Sequence, residues 1–110
     1  MDTAGIAVPV IHPLSHVSGN VAVEWGTFVG QGATVNIGAY IGQNCIINTG
    51  AIVEHHAVVE SHAHIAPGAI VLGGAVVGTG VLVGSNAVVL PGDRVDDWAI
   101  VRAGSVWKSK

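Results

Sequence analysis

The chain has 110 residues, a net charge of −3 and only four basic residues, so it lacks the electrostatic footprint of a nucleic-acid binder. Half of the residues are hydrophobic but only 5% are aromatic, which excludes a core of large side chains; sixteen glycines with many Val, Ile and Ala point to a repetitive β fold. A single cysteine, Cys45, excludes an intramolecular disulfide framework and fits a reducing compartment. The opening MDTAGIAVPV has neither the basic region nor the long apolar region of a secretory leader, and a cytoplasmic location is expected.

Composition is uniform along the chain, as in a single domain. Residues 1–10 read as a lead-in or cap, 11–106 as the repeat, and 107–110 as its C-terminal end. From Ile11, every sixth residue to Val101 is a β-branched aliphatic: Val17, Val23, Val29 and so on through Val53, Val59 and Ile65. Four residues after each comes a small or compact side chain, with Asp93 the exception; Cys45 falls in this register and reads as a core residue. Three residues after each aliphatic stands a corner residue. Twelve of these sixteen are Gly or Asn, the types that accept positive φ. The small residue and the next aliphatic are two apart and share the inner face of a short strand.

This hexad is the signature of an all-β, parallel β-helix. It resembles the left-handed β-helix of the hexapeptide-repeat transferases, and the hand is taken from that resemblance. Three hexads make one triangular coil, residues eighteen apart stack about 4.8 Å apart, and the repeat gives about five coils with no inserted loop. No charged residue lies between Glu60 and Asp93. Pro67, Asn86, His62, His64 and the glycines interrupt that stretch, so no membrane span is expected.

Taken in order, His12 and His16 come first and read as surface histidines without a carboxylate or cysteine beside them. The corners that break the Gly/Asn rule are Leu14, His56, His62 and Trp98. Leu14 and Trp98 lie in the terminal coils. His56 and His62 lie in the middle, flanked by His55 and His64, and unusual residues at strained corners mark functional sites. Eighteen residues beyond His55 and His56 stand Gly73 and Gly74, which leave open space along the stack.

The three outer faces are named here by a core residue. The Val53 face carries Ile52, Ile70, Leu72, Val88 and Leu90 outward, and the Ile65 face carries Phe28, Ile46, Leu82 and Ile100. The Val59 face is more polar, with Glu24, Glu60, Arg94 and Asp96. Two apolar faces are a large exposed patch for a monomer. Packing one on the other in a neighbouring copy is a heterologous contact that closes into a ring, and a triangular prism suggests a homotrimer. It would bring the His55–His56 edge of one subunit to the His62–His64 edge of the next.

The runs Asn48-Thr49-Gly50, Val53-Glu54-His55 and His64-Ile65-Ala66-Pro67-Gly68, with His12-Pro13 and Ala103-Gly104-Ser105-Val106, resemble bacterial sugar acetyltransferases of the sialic-acid O-acetyltransferase and UDP-4-amino-sugar N-acetyltransferase type. The resemblance implies a trimer that transfers an acetyl group from acetyl-CoA to a sugar, without a metal. It implies that His55 is the general base, that His64 lies by the thioester, and that Gly73, with Gly74 beside it, offers a backbone N–H to the oxyanion. The family's residue after the base is usually acidic and orients it; here it is His56, with Glu54 and Glu60 as candidate substitutes. Family members usually begin with a sugar-binding domain and continue into a tail, and neither is read in this sequence. Two other readings stand beside this one. One is a catalytically weak trimeric scaffold; the other is a zinc enzyme like the carbonic anhydrases of this fold, using three histidines at an interface.

Overall fold

The structure is a computed structural model that describes residues 8–109. The expected lead-in lies outside the described residues, except for residues 8–10. Strands of two residues recur every six positions from Val10–Ile11 to Val106–Trp107. All pair in parallel with the strand eighteen residues away, so Val53 sits between Val35 and Val71. Three flat sheets result. The Ile65 face and the Val53 face have six strands each, and the Val59 face has five. The molecule is a prism 44 Å long and 28 by 22 Å across, the parallel β-helix that the hexads predict.

In each strand the second residue points inward. Val29, Val35, Ile41, Ile47, Val53, Val59, Ile65, Val71, Val77, Val83, Val89 and Val95 are all fully buried. The small residues between them, Ala33 through Ala87 with Cys45 among them, complete one continuous core. The Cys45 thiol donates to the Glu60 carbonyl at 3.1 Å, and burial pushes its pKa up. It is a core side chain, as its register predicts.

The repeat runs one residue past the expected end. Trp107 takes the inward position of the last strand, packs against the core and donates its indole N–H to the Arg94 carbonyl at 3.0 Å. At the other end Val17 and Val23 are only partly buried. A solenoid coil is held by its neighbours alone, so the terminal coils are the least supported.

Corners from Gly26 (φ 77°) to Gly104 (φ 71°) are left-handed, and they include His56 (φ 58°), His62 (φ 66°) and Trp98 (φ 65°). A left-handed corner aims its side chain back at the preceding coil. Asn44 lies against Gly26, His56 against Gly38, Asn86 against Gly68 and Trp98 against Gly80. Glycine at those preceding positions makes the room. Aligned main-chain bonds such as His56 N–H to the Ile37 carbonyl, 3.0 Å, hold each corner to the one before it.

Two outcomes test this account. Val53→Asp puts an unpaired carboxylate into a fully buried position, at a cost of several kcal/mol, a large share of the 5–15 kcal/mol or so that holds a domain. The variant should not fold, and a soluble protein with unchanged circular dichroism would mean that the inner register is wrong. His56→Gly should relieve about 1 kcal/mol of left-handed strain and raise Tm by roughly 5 °C at fixed protein concentration. Calorimetry checks it; a fall in Tm would show that the ring packing over Gly38 outweighs the strain.

Candidate functional site

The His55–His56 corner joins the Val53 face to the Val59 face. The two rings diverge along the prism axis. His55 leans forward, so that a Cβ on Gly73 would stand 2.6 Å from its Nε2. His56 leans back, and a Cβ on Gly38 would stand 2.6 Å from its Nε2. Their Nδ1 atoms meet at 3.3 Å, with the rings edge to face at 78°. One Nδ1 must carry the proton and the other must accept it. If His55 donates, its Nε2 keeps a free lone pair above Gly73, the form that a general base requires.

The two glycines differ. The Gly74 N–H donates to the His55 carbonyl at 3.1 Å, and a Cβ there would touch nothing within 4 Å. The space at Gly74 is open, as expected, but His56 leans away from it and onto Gly38, because a left-handed corner projects toward the preceding coil and not the next. The Gly73 N–H donates to no group among the described residues, and it lies under His55. Gly73 is the half-buried member of the pair, and His55 and His56 are exposed.

The carboxylates are engaged elsewhere. Glu54 Oε1 accepts from Asn36 Nδ2 at 2.8 Å, one coil toward the N-terminus. Glu60 pairs with Arg94 at 3.7 Å, and Arg94 also reaches Asp97 at 3.3 Å. Among the described residues no carboxylate pairs with a histidine. Within one chain, then, His56 is the group that orients His55. Asn36 and Gly38 were not singled out from the sequence. Their signal is positional, since each stands eighteen residues before a member of the Glu54–His56 run.

His64 is the outward residue of strand His64–Ile65 and is half-buried. In the register Ile46–His64–Leu82 it is the polar member of an otherwise apolar ladder. Its Nε2 lies 3.2 Å from Asn48 Nδ2. The Asn48 oxygen accepts the Thr49 N–H at 2.7 Å, which fixes the amide so that its NH₂ faces His64. His64 Nε2 therefore accepts, and its proton is on Nδ1. His62, at the corner between the Val59 and Ile65 faces, is exposed. No hydrogen bond or ring contact joins the His55 corner to His64 among the described residues; the two groups flank opposite edges of the Val59 face. Nor do three of His, Cys, Asp and Glu converge there into a metal-ligating group.

Among the described residues the single prism encloses no pocket, and no helix is long and apolar enough to cross a membrane. Exposed apolar residues mark the Ile65 face, with Phe28 and Ile46 each about two-fifths exposed and Ile100 at 65%.

Residues 38–73 and 56–91 match the sequence profile "Bacterial transferase hexapeptide (six repeats)". No curated protein matches the chain. Among solved structures, a variant of perosamine N-acetyltransferase from Caulobacter crescentus, in complex with CoA and GDP-perosamine, superposes with a TM-score of 0.92 at 35% identity over 94% of this chain and 49% of that one. The acetyltransferase domain of PglB from Neisseria gonorrhoeae FA1090, in complex with acetyl coenzyme A, gives 0.90 at 28% identity over 92% and 49%. Serine acetyltransferase from Neisseria gonorrhoeae, at 20% identity and 0.60 over 82% and 37%, shares the fold. The chain spans about half the length of the two sugar enzymes. The chain is an all-β, left-handed β-helix, similar to the bacterial hexapeptide transferases and to these sugar acetyltransferases.

Proposed function

We propose that the chain transfers an acetyl group from acetyl-CoA to an amine or hydroxyl of a sugar or nucleotide-sugar, at a site between the subunits of a homotrimer. One observation carries the reading. The His55 Nε2 stands over a glycine whose N–H is uncommitted, so a candidate base and a candidate oxyanion donor are neighbours. The related enzymes hold CoA, acetyl-CoA and GDP-perosamine, which makes a nucleotide-linked amino-sugar the first acceptor to try.

In this mechanism the acceptor nitrogen or oxygen attacks the thioester carbonyl carbon while His55 Nε2 takes its proton. The Nδ1–H of His55 donates to His56 Nδ1, which holds the ring in the productive tautomer. The carbonyl electrons pass to oxygen, where the Gly73 N–H meets the developing charge. The intermediate collapses, the C–S bond breaks, and the thiolate of coenzyme A recovers the proton from His55. A neutral His56 supports the imidazolium less than a carboxylate does. His64, with its Nδ1–H free, is the donor for the thioester region.

Among the described residues a single prism has no cleft, whereas a ligand of this size is bound with most of its surface buried. Packing the Val53 face on the Ile65 face of a neighbour supplies the cleft, buries Ile70, Leu72 and Leu82, and sets His55 of one subunit near His64 of the next. Light scattering should therefore report a trimer at micromolar concentration; a monomer would contradict the packing.

Coenzyme A at a hundred times its Kd should stabilise the folded protein by about 2.7 kcal/mol; an inert scaffold predicts no shift. His55→Ala should lower turnover by about 10²–10⁴ with little change in acetyl-CoA binding. Mixing inactive His55→Ala chains with inactive His64→Ala chains should restore activity, because mixed trimers contain interfaces with both residues intact. No recovery after verified subunit exchange would place the two histidines in one subunit's site or show that one of them is not catalytic. Gly73→Ala keeps an ordinary backbone but pushes on the His55 ring, and a displacement near 1 Å should cost about a hundred-fold in turnover at unchanged Tm.

A further inference from the structure

The Nδ1 atoms of His55 and His56 are 3.3 Å apart, and the rings stand edge to face at 78°. An N–H donor usually lies about 2.9–3.0 Å from its acceptor, so the shared proton bridges a long gap. The same separation has a second meaning. Two imidazole nitrogens bound to one tetrahedral zinc ion, each at about 2.0–2.1 Å, lie about 3.3–3.4 Å from each other. In a square-planar arrangement with bonds of that length they would lie about 2.8–3.0 Å apart. The pair is therefore spaced for a tetrahedral ion.

Three further features suit a chelate. Both rings are exposed, so an ion can reach them from solvent. Their Nε2 ends are seated in opposite directions, over Gly73 and over Gly38, which leaves the Nδ1 ends turned to each other. The corner beneath them is held from both sides, by the His56 N–H on the Ile37 carbonyl at 3.0 Å and the Gly74 N–H on the His55 carbonyl at 3.1 Å. Charge is favourable as well: no lysine or arginine precedes position 94, and Glu54 adjoins His55 in sequence. Elsewhere imidazole nitrogens are committed singly. His12 Nδ1 accepts the Leu14 N–H at 3.0 Å, and His64 Nε2 is taken by Asn48 at 3.2 Å.

We infer that His55 and His56 chelate one zinc ion through their Nδ1 atoms, with water in the remaining positions, and that the ion inhibits the protein rather than serving as its cofactor. The inhibition rests on the acyltransferase reading; the chelate does not. A neutral imidazole has one N–H and one lone pair. In the free pair His55 carries its proton on Nδ1 and keeps the Nε2 lone pair over Gly73, while His56 carries its proton on Nε2. Zinc takes the Nδ1 lone pair of each ring. The His55 proton therefore moves to its own Nε2, and His56 keeps the proton that it has. No proton leaves the pair, but the nitrogen over Gly73 has become a donor. It can no longer take the proton of an attacking amine or hydroxyl. Proton and metal compete for one gap, and its occupant decides whether a base exists.

The test uses the full chain, stripped with a chelator and titrated with Zn²⁺ alone. Calorimetry should report one ion per chain, and Co²⁺ in its place should show the visible absorption of a tetrahedral site. His56→Asn suits the left-handed corner, as Asn44 and Asn86 do in this chain, and supplies no zinc ligand. Loss of an outer-shell partner alone costs about 10–100-fold in metal affinity, and loss of one of two ligands in His56→Asn or His55→Ala should cost at least as much. His62→Asn and His64→Ala should bind Zn²⁺ as the wild type does. Wild-type acetyl transfer should fall as Zn²⁺ fills the site and return with chelator, while the residual turnover of His56→Asn should not respond at that concentration. A wild type that binds no zinc, or a His56→Asn protein that binds it equally well, overturns the inference and leaves the acyltransferase reading standing. Loss of binding in His64→Ala would place the metal between subunits and also overturns it. Zinc saturation with undiminished turnover overturns the inhibition and, with it, the role of His55 Nε2 as base. A protein that binds zinc at the pair but is inert toward acetyl-CoA upholds the chelate and overturns the acyltransferase reading instead.

Discussion

The structure depends on one constraint, the closure of the chain every eighteen residues. Each inner residue is stacked on its counterpart in the coil before and the coil after, as Val53 is between Val35 and Val71. The interior is so narrow that one β-branched aliphatic and one small residue per hexad fill it. No inner position is free to carry chemistry. Functional variation is confined to outward strand positions and corners, and the histidines of the central coils occupy those positions. The same closure leaves the prism without a cavity of its own among the described residues. A reaction that must exclude water has to obtain its second wall from another surface.

The hexad period gives the inside–outside assignment of every strand, because a two-residue alternation and a six-residue turn leave no other arrangement of the aliphatic and small residues. It also identifies His56 and His62 as strained corners. The period does not carry the direction in which a corner side chain leans. His55 and His56 are adjacent, yet one ring covers Gly73 in the next coil and the other covers Gly38 in the coil before. The difference arises from backbone conformation, since His56 is left-handed and His55 is not. A count along the sequence treats the glycines on both sides as equivalent, and only the geometry separates them.

Side-chain partners were legible to a lesser degree. Glu54 stands next to His55 in sequence, but its carboxylate turns along the stack to Asn36 at 2.8 Å. The pairing is the outward ladder's own version of the eighteen-residue rule. Outward ladders obey that rule as strictly as inward ones, but their side chains are long enough to choose between a rung and a corner. The orientation of His64 is likewise set by a neighbour, through Asn48 and its anchor on the Thr49 amide. That relation becomes visible only when the amide's donors and acceptor are assigned together.

The placement of strain completes the physical account. A left-handed side chain costs roughly 1–2 kcal/mol, and glycine would remove that cost at any corner. His56 and His62 lie between coils that stack on both sides, where aligned backbone bonds such as His56 N–H to the Ile37 carbonyl and Gly74 N–H to the His55 carbonyl hold the corner whatever its side chain. The repeat is therefore stable enough in its middle to tolerate residues chosen for something other than stability. The result is a rigid frame in which an imidazole on one corner and a backbone donor one coil away keep a fixed separation. Such a separation is what catalysis by positioned groups requires, and a mobile loop would have to be ordered at each turnover to reproduce it.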